Sequence, residues 1–355
     1  MALVLVELRR SFRTCSIRKG DSCFDDYGGR VRIPTIPVRL DAESRYRSFN
    51  GERYNRKITY HDREYQDYAL RREAYLAPID LEEETRLRDQ HEMMKMIYRD
   101  WDNSLHPNFI QDPESVLDCG FGSGNWASDL AEYDPNCTVM GVDICPLMAP
   151  PDQPDNMDLQ IANLNERMDF AEPGTFDLIH SRFVAGGIAA TRWPNYLRDM
   201  HRLLRKNGWV QLTEWDLHFR SEIGDMDALQ ALQEWSRLYT QALSLATRPE
   251  GKKSLRVTQD CETWLRMAGF VNVSTDVRDI ATCPWPADPH QRSIGEANLA
   301  NMRDLVRSLG LYPITHRQLR SIEEFQVLVD HACAELGNVN AKPYIRLYTV
   351  FGRKQ

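Results

Sequence analysis

A short glycine-rich segment between an apolar strand and a helix restricts the fold more than any other part of this chain. The strand ends at Asp118, and glycines follow at alternate positions, at Gly120, Gly122 and Gly124. Without Cβ atoms, the backbone can turn tightly and bring its N–H groups and the next helix N-terminus close to a ligand. The segment therefore predicts a small-molecule site at the end of a strand.

Short apolar runs alternate with helical stretches from about residue 114 to residue 215. Such alternation predicts βαβ units and an α/β fold with a doubly wound, mostly parallel sheet. Two later runs, at residues 271–277 and 344–351, are expected to complete seven strands, with the last strand antiparallel at the sheet edge. The earlier predicted strands are residues 116–117, 138–142, 157–162, 176–179 and 209–213.

The length of 355 residues leaves room for segments outside this core. Five segments are predicted: a poorly ordered arm (1–45), a helical, tyrosine-rich cap (46–110), the core (111–284), a helical insertion (285–340) and a closing edge strand (341–355). The insertion is expected to form one wall of an acceptor pocket.

Two carboxylates distinguish between the cofactors that use such a glycine loop. A dinucleotide site requires G-x-G-x-x-G, but the sixth position counted from Gly120 is Asn125. Asp118 would repel a pyrophosphate, whereas it suits the ammonium of an amino-acid group. Asp143 ends another strand 19 residues after Gly124, where it could bind both hydroxyls of a ribose. The pattern favours S-adenosylmethionine, which has an ammonium group and no phosphate.

With these motifs, the chain resembles the class I S-adenosylmethionine-dependent methyltransferases, chiefly over residues 114–215. The resemblance implies a Rossmann-like methyltransferase fold and S-adenosyl-L-methionine as cofactor. Asn163 stands where that family often has an acidic residue that contacts the adenine amino group. The resemblance implies these cofactor-binding residues: Asp118, Gly120, Gly122 and Gly124 around the methionine part, Asp143 at the ribose, and Ile144 and Asn163 at the adenine.

A narrower likeness extends over about residues 45–355. The motifs R-L-R-D-Q-H from Arg86, F-D-L-I-H from Phe176, W-P-N from Trp193 and F-G-R-K from Phe351 resemble the LaeA-like methyltransferases of filamentous fungi. That group includes nuclear regulators of secondary metabolism, which act through protein partners, and enzymes of biosynthetic gene clusters. The regulators usually carry a longer polar N-terminal region, so an enzyme that O- or N-methylates a small molecule is favoured.

Methyl transfer to oxygen or nitrogen requires a base as well as alignment. His180, at the end of the fourth strand, is the first candidate, and Glu214 and His218 after the fifth strand are the next. A histidine that hydrogen-bonds within the fold is an equally open interpretation of His180, and a solvated strand end is the alternative for the other two. A ring such as Tyr54 could face the sulfonium through cation–π attraction, but aromatic rings of this kind more often pack one layer on another.

Charge, hydropathy and cysteine spacing exclude several other classes. With 44 basic and 52 acidic residues, the net charge of -8 does not favour nucleic acids as partners. Apolar runs are shorter than the roughly 20 residues of a membrane span. Eight cysteines without a C-x-x-C pair are expected to be reduced thiols of a cytoplasmic protein, nuclear if regulatory, with no metal. Residues 1–20 hold five basic residues against one acidic residue and indicate either a weak presequence or a frayed terminus.

Overall fold

The computed structural model describes residues 52–101, 103–248 and 251–355. The predicted arm and the presequence-like segment lie outside these residues. The division into five segments therefore stays a prediction, although the structure shows which helices and strands fall in the later ones.

The first described elements form a small helical and hairpin unit, followed by a long helix. They are α1 (Glu52–Asn55), β1 (Lys57–Tyr60), β2 (Arg63–Gln66), α2 (Asp67–Arg71) and α3 (Leu81–Ile97). Helix α3 begins after Asp80, whose side chain accepts a hydrogen bond of 3.1 Å from the backbone N–H of Glu83. This contact satisfies one of the free N–H groups of the first turn and fixes where the helix starts.

Seven strands form the main sheet: β3 (Ser115–Cys119), β4 (Thr138–Asp143), β5 (Met157–Ile161), β6 (Phe176–Arg182), β7 (Leu204–Ser221), β8 (Val271–Ala281) and β9 (Pro343–Arg353). Their order across the sheet is β5-β4-β3-β6-β7-β9-β8. Strands β3 to β7 pair in parallel, and β9 pairs antiparallel with both β7 and β8. The predicted doubly wound, mostly parallel sheet of seven strands is confirmed.

The remaining helices connect these strands or pack beyond the end of the sheet. They are α4 (Asn125–Tyr133), α5 (Trp193–Leu203), α6 (Gln230–Ser244), α7 (Val257–Met267), α8 (Pro289–His316) and α9 (Ile322–Leu336), with short 3-10 turns at Pro146–Met148 and Asp227–Leu229. None of the helices in the described ranges is long and apolar enough to cross a membrane.

The last strand differs in position from the prediction. It is antiparallel, as expected, but β9 lies between β7 and β8, so an edge position for residues 341–355 is wrong. Strand β8 pairs with the outer side of β9, for example through Thr275 opposite Val350, and thereby becomes the edge. Apolar patterning does not distinguish a sheet with β9 at its edge from one with β8 at its edge, because β8 and β9 are antiparallel to each other in both orders.

Strand β7 is much longer than the five residues predicted for it. Its parallel pairing with β6 ends at Thr213, but its antiparallel pairing with β9 continues to Asp216 and resumes at Arg220. The partner β9 therefore supplies backbone hydrogen bonds to a stretch that extends beyond β6. As a result, Glu214 and His218 lie within a strand and not after its end.

Helices α3, α6, α8 and α9 pack around a second apolar core together with the far half of β7. We call these four helices the cap. Trp235 of α6 is fully buried there, and its indole N–H donates to the Val306 carbonyl of α8 at 2.9 Å. Helix α6 thus packs with the cap, although its residues fall in the segment predicted as core. In α8, Met302 and Leu305 are buried.

Candidate active site

The glycine loop joins the end of β3 to the start of α4. Gly120, Gly122 and Gly124 all have positive φ angles, of 81°, 58° and 75°. A Cβ atom at Gly120 would lie 2.6 Å from Cγ1 of Val184, and one at Gly124 would lie 2.7 Å from Cδ of Pro150. The left-handed backbone and the close approach of neighbours both require glycine here.

Asp143 at the end of β4 is hydrogen-bonded to this loop. Its Oδ2 accepts from the N–H of Gly122 at 3.0 Å, and its Oδ1 accepts from the N–H of Cys145 at 2.8 Å. Burial raises the pKa of Asp143 to about 6, and the two backbone donors oppose that rise. The carboxyl group is therefore fixed in direction and ionised at neutral pH.

A cavity of about 200 Å³ opens at this carboxyl edge of the sheet, where doubly wound sheets bind ligands. Gly124 does not line the cavity; it is the residue before the first turn of α4. The predicted cofactor residues that line it are Asp118, Gly120, Gly122, Asp143, Ile144 and Asn163.

Asn163 is held by its own neighbours. Its Oδ1 accepts from the N–H of Asn165 at 3.1 Å, and its amide nitrogen donates to Glu166 at 3.2 Å. Its amide oxygen has a second lone pair, so the predicted role toward adenine stays a prediction.

His180 lines the cavity, but its ring is fixed on two sides. Nδ1 donates to Oδ1 of Asp118 at 2.8 Å, and the ring stacks on Trp126 with a centroid distance of 3.7 Å. Burial lowers the pKa of His180 against the opposing influence of Asp118. This geometry matches the alternative left open above, in which the histidine hydrogen-bonds within the fold.

Glu214 is buried at the cavity wall and has a strongly altered acidity. Its Oε1 accepts from the N–H groups of Val184 and Ala185 at 2.8 and 3.0 Å, while Oε2 accepts no hydrogen bond from the described residues. Burial raises the pKa of Glu214 to about 8, and the two backbone donors oppose the rise. A carboxyl group with this pKa can exchange a proton near neutral pH.

His218 is not brought to the cavity. Its Nδ1 contacts Oδ1 of Asp216 at 2.6 Å, and its side chain is 59% exposed. The pairing of β7 is irregular between Asp216 and Arg220, so His218 lies beyond the stretch that faces the cavity. His218 is solvent-exposed, as that alternative expected, but it lies within β7 and not at its end.

Tyr54 also lies away from the cavity, where its ring packs on Tyr68 at a centroid distance of 4.6 Å. Another tyrosine of the same segment, Tyr75, lines the cavity instead. Tyr54 therefore follows the packing alternative, because its ring packs within the N-terminal segment and not at the cavity.

Several cavity residues were not predicted from the sequence. Arg182 follows His180 by two positions in β6, and Tyr239 comes from α6. The polar residues Glu83, Arg86 and Gln90 of α3 also line the cavity. Their spacing of three and four residues placed them on one helix face, and this was the signal available in the sequence.

The described cysteines and acidic residues give no metal centre of standard form. The six described cysteines are free and buried. Within the described ranges, His91, Glu92 and Asp129 are close enough to hold an ion. However, Oδ2 of Asp129 already contacts both Nε2 of His91 at 3.0 Å and the ammonium of Lys95 at 2.8 Å. A metal ion would have to displace this lysine.

The residues around the loop fit S-adenosylmethionine. The missing Cβ atoms leave room for close approach to the backbone, and Asp143 offers a fixed carboxylate to a pair of hydroxyls. Asp118 and Asp143 both line this part of the cavity, so a pyrophosphate would meet two like charges. Together, the sheet order and this site define a class I S-adenosylmethionine-dependent methyltransferase.

Comparisons with known proteins agree with this class. A family profile described as a methyltransferase domain matches residues 90–275, and the chain belongs to that family. It is an S-adenosylmethionine-dependent enzyme, so the predicted activity and cofactor are confirmed.

Relatives with related names align over most of the chain. The laeA proteins of Aspergillus fumigatus, named a secondary metabolism regulator, and of Emericella nidulans, named a protein-methionine methyltransferase, are 27% and 26% identical to this chain. Both alignments cover 81% of this chain and 74% of the relative. The probable methyltransferase tdiE of Emericella nidulans is 26% identical, over 78% of this chain and 82% of the relative.

A solved structure of phosphoethanolamine N-methyltransferase 2 from Haemonchus contortus, in complex with S-adenosyl-L-methionine, covers 68% of this chain and 48% of its own. Its TM-score is 0.41 and its sequence identity is 17%.

Proposed function

We propose that this methyltransferase transfers a methyl group to an oxygen or nitrogen atom of a small, mostly apolar molecule of secondary metabolism. The observation that carries the proposal is the continuation of the cavity from the glycine loop to an apolar wall, part of which the cap supplies. Pockets of this kind suit small ligands that a few polar groups orient. The wall includes Leu76, Phe183, Trp215, Leu217, Leu305 and Leu309.

Glu214 is the residue proposed to accept the proton of the acceptor group. Its free Oε2, its place in the cavity lining and its pKa of about 8 suit a general base at mildly alkaline pH. His180 is proposed to act differently, because its Nδ1 holds Asp118 and its ring is stacked. We assign His180 as a positioning residue that orients the Asp118 carboxylate.

One further polar group at the cavity wall, the indole N–H of Trp215, is buried and has no hydrogen-bond partner among the described residues. A buried donor without a partner is costly, so a ligand oxygen that meets such a group would be favoured. This supports an acceptor with at least one oxygen atom on an otherwise apolar frame.

The residues proposed to hold the cofactor are those of the loop and the two neighbouring strand ends. When bound, S-adenosylmethionine supplies a methyl group activated by its sulfonium. Gly120 and Gly122 allow close contact with the backbone, Asp143 binds the ribose hydroxyls, and Gly124 shapes the turn into α4. Asp118 faces the methionine part, and Ile144 and Asn163 are proposed to contact the adenine.

Comparative metabolite profiling tests this function. A strain with Asp143→Ala is expected to accumulate a species lighter by one methyl group than the product of the parent strain. The same variant protein should fold, as judged by thermal melting, and should lose stabilisation by S-adenosylhomocysteine. An unchanged metabolite profile together with lost cofactor binding would contradict the small-molecule role.

A second candidate function rests on the relatives named laeA. In that case, the chain would act as a nuclear regulator of secondary metabolism through protein partners, and its methyl acceptor would be a protein side chain. A deletion strain separates the two functions. Loss of a single methylated product supports the cytoplasmic enzyme, whereas broad transcriptional change without such a loss supports the regulator.

A further inference from the structure

Arg182 is a cation at the cavity wall without a carboxylate in contact. It ends β6 one position after the pairing of Ser181 with Cys119, so it lies level with the start of the glycine loop. No carboxylate oxygen of the described residues lies within 4 Å of its guanidinium, and its one hydrogen bond to them joins Nη2 to Nδ1 of His91 at 3.2 Å. A guanidinium has five N–H donors, so most of its capacity is unused.

Arg86, the other arginine of the cavity lining, differs from Arg182 because its guanidinium has a carboxylate partner. It contacts both carboxylate oxygens of Glu83 at 2.6 and 3.0 Å and also donates to Gln90 and Asn301. Burial lowers the pKa of Arg86, but Glu83 outweighs burial and the net change is upward. For Arg182, burial prevails and the pKa is lowered. The difference reflects the missing partner.

The hydrogen bond to His91 orients the guanidinium of Arg182 but does not neutralise its charge. Nδ1 of His91 accepts from Arg182, so Nε2 carries the proton that it shares with Asp129 at 3.0 Å. Burial lowers the pKa of His91, which keeps this imidazole neutral. Asp129 is in turn bound to Lys95 at 2.8 Å, and this lysine balances its charge.

We infer that Arg182 binds a carboxylate group of a ligand in the cavity. A planar guanidinium and a carboxylate form two parallel hydrogen bonds, and a partly buried cation gains most from such a pair. A phosphate suits the site less well, because Asp118, Asp143 and Glu83 also line the cavity and would repel a doubly charged anion. The inference depends on the methyltransferase class and not on the identity of the acceptor.

Two ligands of this enzyme could carry the carboxylate: the amino-acid part of the cofactor, or the methyl acceptor. Calorimetry with two pairs of probes separates them. The first pair is S-adenosylhomocysteine and S-adenosyl-3-thiopropylamine, which lacks only the carboxylate. The second pair is 1-naphthoate and 1-naphthamide, titrated into protein saturated with S-adenosylhomocysteine.

If the cofactor supplies the group, Arg182→Met weakens S-adenosylhomocysteine binding by roughly 10- to 100-fold and leaves S-adenosyl-3-thiopropylamine unchanged. If the acceptor supplies it, the variant keeps its affinity for S-adenosylhomocysteine and loses binding of naphthoate but not of the amide. Arg182→Lys should keep part of the lost affinity, because it keeps the charge without the fork. Arg88→Met, on the exposed side of α3, should match the wild type in both pairs.

An equal loss for both members of a pair would show general damage to the site and would overturn the inference. Unchanged affinity for both carboxylates in Arg182→Met would overturn it as well. If Arg182→Met does not fold, the wild type and Arg182→Lys decide, since a wild type that binds both members of each pair equally has no carboxylate site. A wild type that binds no S-adenosylhomocysteine would instead contradict the methyltransferase assignment.

Discussion

Two buried carboxyl groups of the cavity, Glu214 and Asp143, have pKa values raised by the same cause but to different levels. Burial raises the pKa of Asp143 to about 6 and that of Glu214 to about 8. Asp143 therefore stays ionised at neutral pH and can accept hydrogen bonds from hydroxyl groups. Glu214 is mostly protonated at neutral pH and becomes half-ionised near pH 8, so its capacity to take up a proton increases at mildly alkaline pH.

Replacing Glu214 tests its proposed role directly. We expect Glu214→Gln to lower kcat by about 10²- to 10⁴-fold, because the amide keeps the shape and accepts the two backbone N–H groups but cannot take a proton. Binding of S-adenosylhomocysteine, measured by calorimetry, should be unchanged. Glu222→Gln, at an exposed position after β7, is the control and should leave both quantities as they are. Full turnover in Glu214→Gln would exclude Glu214 as the base.

The same carboxyl group makes stability depend on pH. Its pKa is about 8 in the folded chain and near its usual value of 4.5 in the unfolded chain. Between these values the folded state binds more protons, so the free energy of unfolding decreases as pH rises through this window. Asp143 is half-ionised at about pH 6 and mostly ionised near pH 7, so Glu214 causes most of the change that these two groups make above pH 6.

Thermal melting at about pH 6 and about pH 8.5 measures this dependence. The wild type should lose more stability over that interval than Glu214→Gln, whose side chain does not ionise. Equal losses in the two proteins would mean that the pKa of Glu214 is not raised in the folded state.

At the scale of residues, short-range spacing in the sequence predicts that Asp118, Gly120, Gly122 and Asp143 lie together, and all four line the cavity. Their roles toward the cofactor stay predictions. The sequence did not separate Glu214 from His218, since their difference depends on an irregular pairing with β9, more than 120 residues later. Arg182 was missed for a similar reason. Arg182 has no carboxylate partner because the side chain of α3 in contact with it is His91. The apolar pattern of a strand does not predict this contact.

At the scale of elements, the turn from β3 into α4 depends on space as well as on backbone angles. Gly120 and Gly224 have nearly the same φ, 81° and 78°, but a Cβ at Gly224 would meet nothing within 4 Å. The two positions therefore share the cost of a left-handed alanine, about 1 kcal/mol. Only Gly120 adds a collision with Val184.

We expect Gly120→Ala to reduce the melting temperature more than Gly224→Ala does, and to weaken S-adenosylhomocysteine binding where Gly224→Ala does not. Adding Val184→Ala to Gly120→Ala should restore part of the stability, because it removes the methyl group that collides. Equal effects of the two single variants would show that backbone angle alone requires glycine at the loop.

The sheet itself was predictable because alternating apolar runs and helices allow few arrangements. The length of β7 and the inner position of β9 were not, since both depend on antiparallel pairing between distant strands. Helix α6 was assigned to the core for a comparable reason. Its apolar face, which includes Trp235, gives no sign of which layer will cover it.

At the scale of the whole molecule, the cofactor half and the cap meet at one cavity. The glycine loop, Asp143 and Ile144 come from the sheet, whereas Leu305 and Leu309 come from α8. Because the two parts of the site come from different elements, substitutions in the cap can change the acceptor specificity without changing the cofactor site. The sequence therefore predicts most of the lining around the glycine loop and little of the lining that the cap supplies.

Transfer of an isotopically labelled methyl group shows whether this enzyme methylates a small molecule through Glu214. Purified protein is incubated with methyl-labelled S-adenosylmethionine and an extract of a strain that lacks the gene, and the small-molecule and protein fractions are then analysed separately. We expect label in one small organic product with the wild type, and a loss of at least about 100-fold with Glu214→Gln. Label confined to the protein fraction, or equal label with the variant, would contradict this expectation.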